Sequence, residues 1–267
     1  MIFRLYPNIY GLHQSGRLWF QTLDATLLDI GFTKIFGFNC VYRQGLNALL
    51  LVYVDDMVLF TSNKKHKTKD GIIMHQIGFI QKLANVFNIV KNEIVKVPVT
   101  VGTTLVKCKE GESVEDFPYR SLIGSLMFLA SRSRPDILYA VTYLSQFNVL
   151  HSGAHDKCLK QVLQYVVNTE HFTINLSHCV NESLFLHVDA SWATDLDSCK
   201  SFGGHILYLG GAPLSWGCMK QGSVAGSTME SEYIALVHAV KEIYWMSSLF
   251  EYYDLLNYVN VPTYWGA

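Results

Sequence analysis

Two adjacent carboxylates, Asp55 and Asp56, interrupt one of the most apolar stretches of the chain, between residues 48–54 and 57–60. Ionised carboxylates in apolar surroundings cost several kcal/mol to desolvate, so solvent, a cationic partner or a metal must compensate them. Two readings follow. The pair sits at the solvent-exposed tip of a hairpin, or it supplies hard oxygen ligands to Mg²⁺ held rigidly at a strand turn. Neighbouring residues on an extended strand point to opposite faces, so Asp55 and Asp56 cannot both enter one site and a second strong ligand must come from elsewhere. Upstream, only Asp24 and Asp29 are acidic, and both fall on a predicted helix.

Other reactive side chains are weaker signals taken singly. Asp189 ends an apolar run and reads as a strand-end acid, and Glu232 lies in the first turn of a predicted helix, where the dipole favours it. His151 and His155 have the i, i+4 spacing of a zinc pair, but no glutamate or third ligand accompanies them and Gly153 lies between. Trp192, Trp216 and Trp245 read as core aromatics.

The elements that must position these residues show in the periodicity. Residues 15–30 repeat apolar positions at Leu18, Leu23, Leu27 and Ile30 and stop at Gly31, as an amphipathic helix does. The runs flanking Asp55-Asp56 are rich in β-formers and predict two buried strands joined by a tight turn. A basic loop with Lys64, Lys65, Lys67 and Lys69 follows, then a helix around residues 79–87 and an irregular stretch through Pro98 and Gly102 that has no evident place in a core. Three apolar helices are predicted at residues 122–130, 137–147 and 155–167, the first two parted by Arg134-Pro135-Asp136. Strands are expected at residues 184–190, 202–209 and 213–216, with a Gly210-Gly211 turn. Ser227 and Glu230 then form a capping box before a long helix whose period runs through Met229, Leu236, Val240 and Ile243.

Composition sets the frame. The 267 residues are 50% hydrophobic and 16% charged, which excludes a long disordered tail and supplies ample core material. Residues 1–100 carry 11 Lys+Arg and 6 Asp+Glu, whereas residues 101–267 carry 10 and 16. That split suits a polyanion-facing first part and an acidic, cation-holding second part. Six dispersed cysteines contain no CxxC pair, so neither a zinc ribbon nor a disulfide framework is indicated and a reducing compartment is expected. The amino terminus lacks the pattern of a signal peptide, and the most apolar run is broken by two aspartates, so no membrane span is expected.

Taken in order, the motifs resemble a known family. Tyr10-Gly11-Leu12-His13-Gln14-Ser15, Tyr53-Val54-Asp55-Asp56, Tyr119-Arg120-Ser121-Leu122-Ile123-Gly124, Arg134-Pro135-Asp136, His187-Val188-Asp189-Ala190-Ser191-Trp192 and Ser227-Thr228-Met229-Glu230-Ser231-Glu232-Tyr233 follow one another along nearly the whole chain. They resemble the Pol polyproteins of copia-type retrotransposons, with their YGLKQS-type motif and YVDD hairpin. The resemblance implies an α+β fold: a partial reverse-transcriptase palm over residues 1–100 (a β-hairpin with helices, internally deleted), a helical connector over 101–182, and a ribonuclease H-like domain over 183–267 cut short at its end. It implies that Asp55 is a metal ligand of the polymerase with Asp56 beside it, and that Tyr10, Gly11 and Gln14 line the incoming-nucleotide pocket. Asp189 and Glu232 would then hold metal for ribonuclease H. The implied cofactor is Mg²⁺, acting by two-metal chemistry, and the implied partners are an RNA template, a DNA primer, an RNA–DNA hybrid and other parts of the polyprotein, in a cytoplasmic particle or the nucleus.

The departures from the family carry as much weight as the matches. Its first catalytic Asp precedes the YGLKQS-type motif and would fall before Met1, and its later ribonuclease H acids would fall after Ala267. Removing acids from a two-metal cluster leaves too little negative charge to hold both ions, so little or no activity is expected from this chain alone. A remnant without catalysis, and a nucleic-acid-binding competitor of intact elements, are the alternatives. Poor solubility is expected before Gly111.

Overall fold

The computed structural model describes residues 15–35, 40–45, 48–53, 56–61, 73–92, 94–100, 102–108, 117–176, 182–252 and 259–260. Its chain is mixed helix and sheet, in two compact units, Met1–Thr68 and Lys69–Ala267.

In the first unit, α1 (Ser15–Asp29) precedes four antiparallel strands in the order β1 (Thr33–Lys34), β2 (Val41–Gln44), β3 (Ala48–Tyr53) and β4 (Asp56–Thr61). The helix ends as its sequence requires. Gly31 takes the left-handed φ of +92°, and the Phe32 N–H returns to the Leu27 carbonyl at 2.9 Å. Alternation along β3 turns Leu50 and Val52 inward, where they pack with Leu27 and Tyr42.

The second unit is built on a helical core. It comprises α2 (Ile77–Val86), α3 (Tyr119–Arg132), α4 (Leu138–Ser145) and α5 (Gly153–Asn168), with a short 3-10 turn at Pro135–Ile137. Helical spacing buries Leu122, Leu126 and Leu129 completely on one stripe of α3, each worth roughly 1.5–3 kcal/mol. A second sheet has the order β10-β7-β8-β9, from β7 (Glu182–Ser191), β8 (Phe202–Leu209), β9 (Ala212–Lys220) and β10 (Val259–Asn260). Gly210-Gly211 joins β8 to β9 as a two-residue turn between the Leu209 and Ala212 partners. The strand β9 runs four residues past the expected Trp216 because it pairs along the whole of β8. One face of this sheet delivers Phe202, Trp216 and Cys218 to the helical core, so helices and sheet share apolar packing. The other face carries Leu184, Leu186, Leu207 and Leu209 and is covered by α6 (Thr228–Tyr252) through Ile243, Met246 and Phe250.

The irregular stretch before α3 has a place after all. The Leu105 N–H donates to the buried Tyr143 hydroxyl at 2.9 Å, and Gln164 and Asn168 on α5 donate to the carbonyls of Val90 and Val95. A short strand β5 (Ile73–Met74) pairs with β6 (Ile174–Asn175). Two tryptophans are not core residues: Trp192 is 48% exposed and Trp245 is 51% exposed, and only Trp216 packs on the core. The Trp192 indole N–H instead donates to the Ala225 carbonyl at 2.9 Å, and Trp245 lies half-exposed on α6.

The histidine pair serves the start of α5. His155 is almost wholly buried, and its Nδ1 accepts the Ser152 N–H at 3.1 Å in a capping box, which that nitrogen does only in the neutral ring. His151 stacks on Tyr119 and reaches Asp156 at 2.9 Å. Burial, with a smaller contribution from His151, holds the His155 pKa below its ordinary 6.5. The unfolded chain therefore takes up a proton while the folded chain refuses it, so this stability is full above the ordinary value and is lost as pH falls through the folded one. His155→Gln keeps a side-chain acceptor for the cap without a titrating ring. It is expected to flatten the acid side of the stability profile, read as urea midpoints between about pH 7 and about pH 5. An equal acid loss in the variant would exclude His155 as the cause.

Candidate functional site

The first candidate site lies in the Met1–Thr68 unit. Asp55, Tyr10, Gly11 and Gln14 fall outside the described residues. Asp56 opens β4 opposite Tyr53, so only Val54 and Asp55 connect the two strands, as the tight-turn reading expects. Of the two upstream acids, Asp24 is already engaged: it accepts the Tyr42 hydroxyl at 2.8 Å and pairs with Lys34 at 3.4 Å. Burial, and then the hydrogen bond to Asp24, push the Tyr42 phenol far above its ordinary value. The carboxylate thus ties α1 to the sheet.

The second candidate site lies at one end of the β7–β8–β9 sheet. Asp189 pairs in register with Gly204, and its neighbour Ala190 pairs with Gly203. A Cβ on Gly203 would stand 2.9 Å from the Ala235 Cβ, so α6 rests directly on the sheet here, within one turn of Glu232. The backbones that carry Asp189 and Glu232 therefore meet at the same end of the domain. The pleat turns Asp189 away from α6, the helix that carries Glu232. Asp189, itself exposed, shares the face of Phe185 and His187 and of Phe202, Trp216 and Cys218, opposite the face that Leu184, Leu186 and Ala190 present to α6.

Several polar residues that carried no periodic signal lock this end together. Gln221, 2% exposed, bonds twice: its backbone N–H donates to the Ser201 carbonyl and its side-chain amide donates to the Ser231 carbonyl, each at 2.8 Å. Ser201 in turn accepts the Ala193 N–H at 3.0 Å, just past the end of β7. The expected capping box is half formed and half displaced. Ser227 accepts the Glu230 N–H at 3.1 Å, while the Glu230 carboxylate accepts the Gly226 N–H at 2.8 Å, one residue upstream of the usual position. The only hint in the sequence was a Gln directly after an apolar strand.

Carboxylate oxygens are the right donors for Mg²⁺, but a stable site needs more than two of them on one side. Among the described residues no group of three or more His, Cys, Asp or Glu side chains is placed to hold a metal ion. Asp189 and Glu232 do not by themselves fit a Mg²⁺ centre. Among the described residues no helix is long and apolar enough to cross a membrane.

The chain is similar to known proteins. Residues 1–70 match the family model for reverse transcriptase (RNA-dependent DNA polymerase). Over 92% of its length the chain is 32% identical to the retrovirus-related Pol polyprotein from transposon RE1 of Arabidopsis thaliana, of which it covers 19%. It is 27% identical to the corresponding polyprotein from transposon TNT 1-94 of Nicotiana tabacum, covering 92% of this chain and 22% of that one. A transposon Ty5-1 protein of Saccharomyces cerevisiae is 27% identical over 91% of this chain and 90% of its own length. No solved structure matches the chain. The segment thus spans about a fifth of the length of the long polyproteins it matches, and it belongs to the Pol polyproteins of copia-type retrotransposons.

Proposed function

We propose that the chain carries part of a reverse-transcriptase palm in residues 1–100, a helical connector in 101–182 and the opening elements of a ribonuclease H-like domain in 183–267, and that alone it catalyses neither reaction. In this reading Asp55 and Asp56 belong to the polymerase site, Tyr10, Gly11 and Gln14 to its nucleotide pocket, and Asp189 and Glu232 to the nuclease site. Its substrates in the longer polyprotein are an RNA template with a DNA primer and an RNA–DNA hybrid. The observation that carries the reading is the pair Asp189 and Glu232 on adjoining elements, without a third acidic side chain beside them among the described residues. Two carboxylates, one from a strand and one from a helix, leave the charge of two Mg²⁺ ions largely uncompensated, so hydrolysis of the hybrid is not expected of this chain alone.

The purified chain, supplied with Mg²⁺, is expected to give RNA-templated primer extension and hybrid cleavage no greater than its Asp55→Ala and Asp189→Asn variants. Extension that disappears with Asp55→Ala, or hybrid cleavage that disappears with Asp189→Asn, would overturn the proposal.

A further inference from the structure

The connection that follows β7 and the connection that precedes α6 are clasped together at the end of the sheet that carries Asp189. The Trp192 indole N–H donates to the Ala225 carbonyl at 2.9 Å, and the Lys200 ammonium donates to the Gly222 carbonyl at 2.6 Å. Ser201 adds two bonds, accepting the Gln221 N–H on its carbonyl at 2.8 Å and the Ala193 N–H on its hydroxyl at 3.0 Å. The clasp uses only the indole nitrogen and one of the ammonium's donors. The Trp192 ring itself is left 48% exposed just past the end of β7, and Val224, 54% exposed, is next in the chain to its Ala225 partner. A ring whose polar end is tied down has little rotamer freedom left to lose, which is the condition for a preorganised aromatic contact.

We infer that Trp192 and Lys200 are substrate-contacting residues for an RNA–DNA hybrid. One strand crosses this end of the sheet with a base or sugar against the indole face and a phosphate on the Lys200 ammonium. The inference rests on the nuclease reading of Asp189 and Glu232, and adds to it the groups that steady a strand beside them. An aromatic plane and a cation on one pair of clasped connections suit a nucleic-acid strand, because every base offers a π-face and every phosphate an acceptor. Residues 101–267 carry 10 Lys+Arg against 16 Asp+Glu, so a fixed cation and an uncharged ring are the groups here that can hold a polyanion. The contact supplies position without sequence preference, since neither group tells one base from another.

Fluorescence anisotropy of a labelled RNA–DNA hybrid, titrated with the full chain in Mg²⁺ over a salt series, tests this, with circular dichroism to show that each variant keeps its helix content. Trp192→Ala is expected to weaken binding about tenfold and to leave the salt dependence unchanged, because the lost contact is uncharged. Trp192→Phe, which keeps a ring but not its N–H, is expected to fall between the two. Lys200→Gln keeps a donor for the Gly222 carbonyl and is expected to reduce the slope of log K against log salt by about one. With iodouracil in the hybrid, ultraviolet crosslinks are expected on the peptide that carries Trp192. No hybrid binding by the wild-type chain overturns both this inference and the nucleic-acid reading beneath it. Binding that Trp192→Ala leaves unchanged, a slope that Lys200→Gln leaves unchanged, or crosslinks that fall only elsewhere in the chain overturns this inference alone.

Discussion

Replacing Arg134 with alanine is expected to lower the stability of the Lys69–Ala267 unit by about 3–5 kcal/mol, with a fall in Tm on the order of 10 °C. The guanidinium is 1% exposed and every side of it is used. It forks onto both Asp136 oxygens at 2.9 and 2.7 Å, and it donates to the Thr169 carbonyl at 3.2 Å and the Thr169 hydroxyl at 2.6 Å. The rings of Tyr165 and Phe172 stand 5.6 and 5.3 Å from its central carbon. Thr169 is the C-cap of α5, so one side chain joins the α3–α4 corner to the end of α5. Alanine would leave a cavity, an unpaired carboxylate and a helix-end carbonyl without its donor. Arg134→Lys keeps the charge but cannot fork, and should recover less than half of the loss. Urea midpoints of the three proteins decide the matter. A loss below about 1 kcal/mol for the alanine variant would show that the corner is held by its apolar contacts instead.

The second large effect is expected at Gly203. A methyl group there would stand 2.9 Å from the Ala235 Cβ and 3.4 Å from its Cα, distances that force α6 away from β8. Gly203→Ala is expected to cost about 1–3 kcal/mol, and Gly203→Val more. The displaced helix would also strain the bond from the Gln221 amide to the Ser231 carbonyl, and with it the placement of Glu232. The cause can be isolated. Ala235→Gly removes the facing methyl, so in the Gly203→Ala background it should restore most of the loss, although a helix-interior glycine costs roughly 1 kcal/mol by itself. If the two single effects simply add, the close approach is not what Gly203 provides.

Much of the local structure was legible from residue order. The period of residues 15–30 and the terminator Gly31 predict α1 to within a residue or two, the two apolar runs predict the β3–β4 hairpin, and the strand predicted at residues 202–209 is β8 to the residue. These are short-range matters of side-chain period and turn chemistry. The stretch before α3 escaped because its anchors are side chains on α4 and α5, at sequence separations of 38, 73 and 74. Nothing local marks such a bond.

For the candidate site the division is sharper. Residue order alone was enough to identify the family and to single out Asp189 and Glu232, because motifs are linear strings. Which way Asp189 faces was settled by packing. Met229, on the apparent apolar period of α6, is 81% exposed, while the small residues Ser231, Ala235 and Ala239 meet the sheet. The reason is the bare backbone of Gly203: helix and strand approach too closely there for a large side chain. Because a strand alternates every residue, that same contact assigns Ala190 to the helix side and Asp189 to the other. A pleat's two faces are equivalent until a second element covers one of them, and that choice exists only in the folded chain.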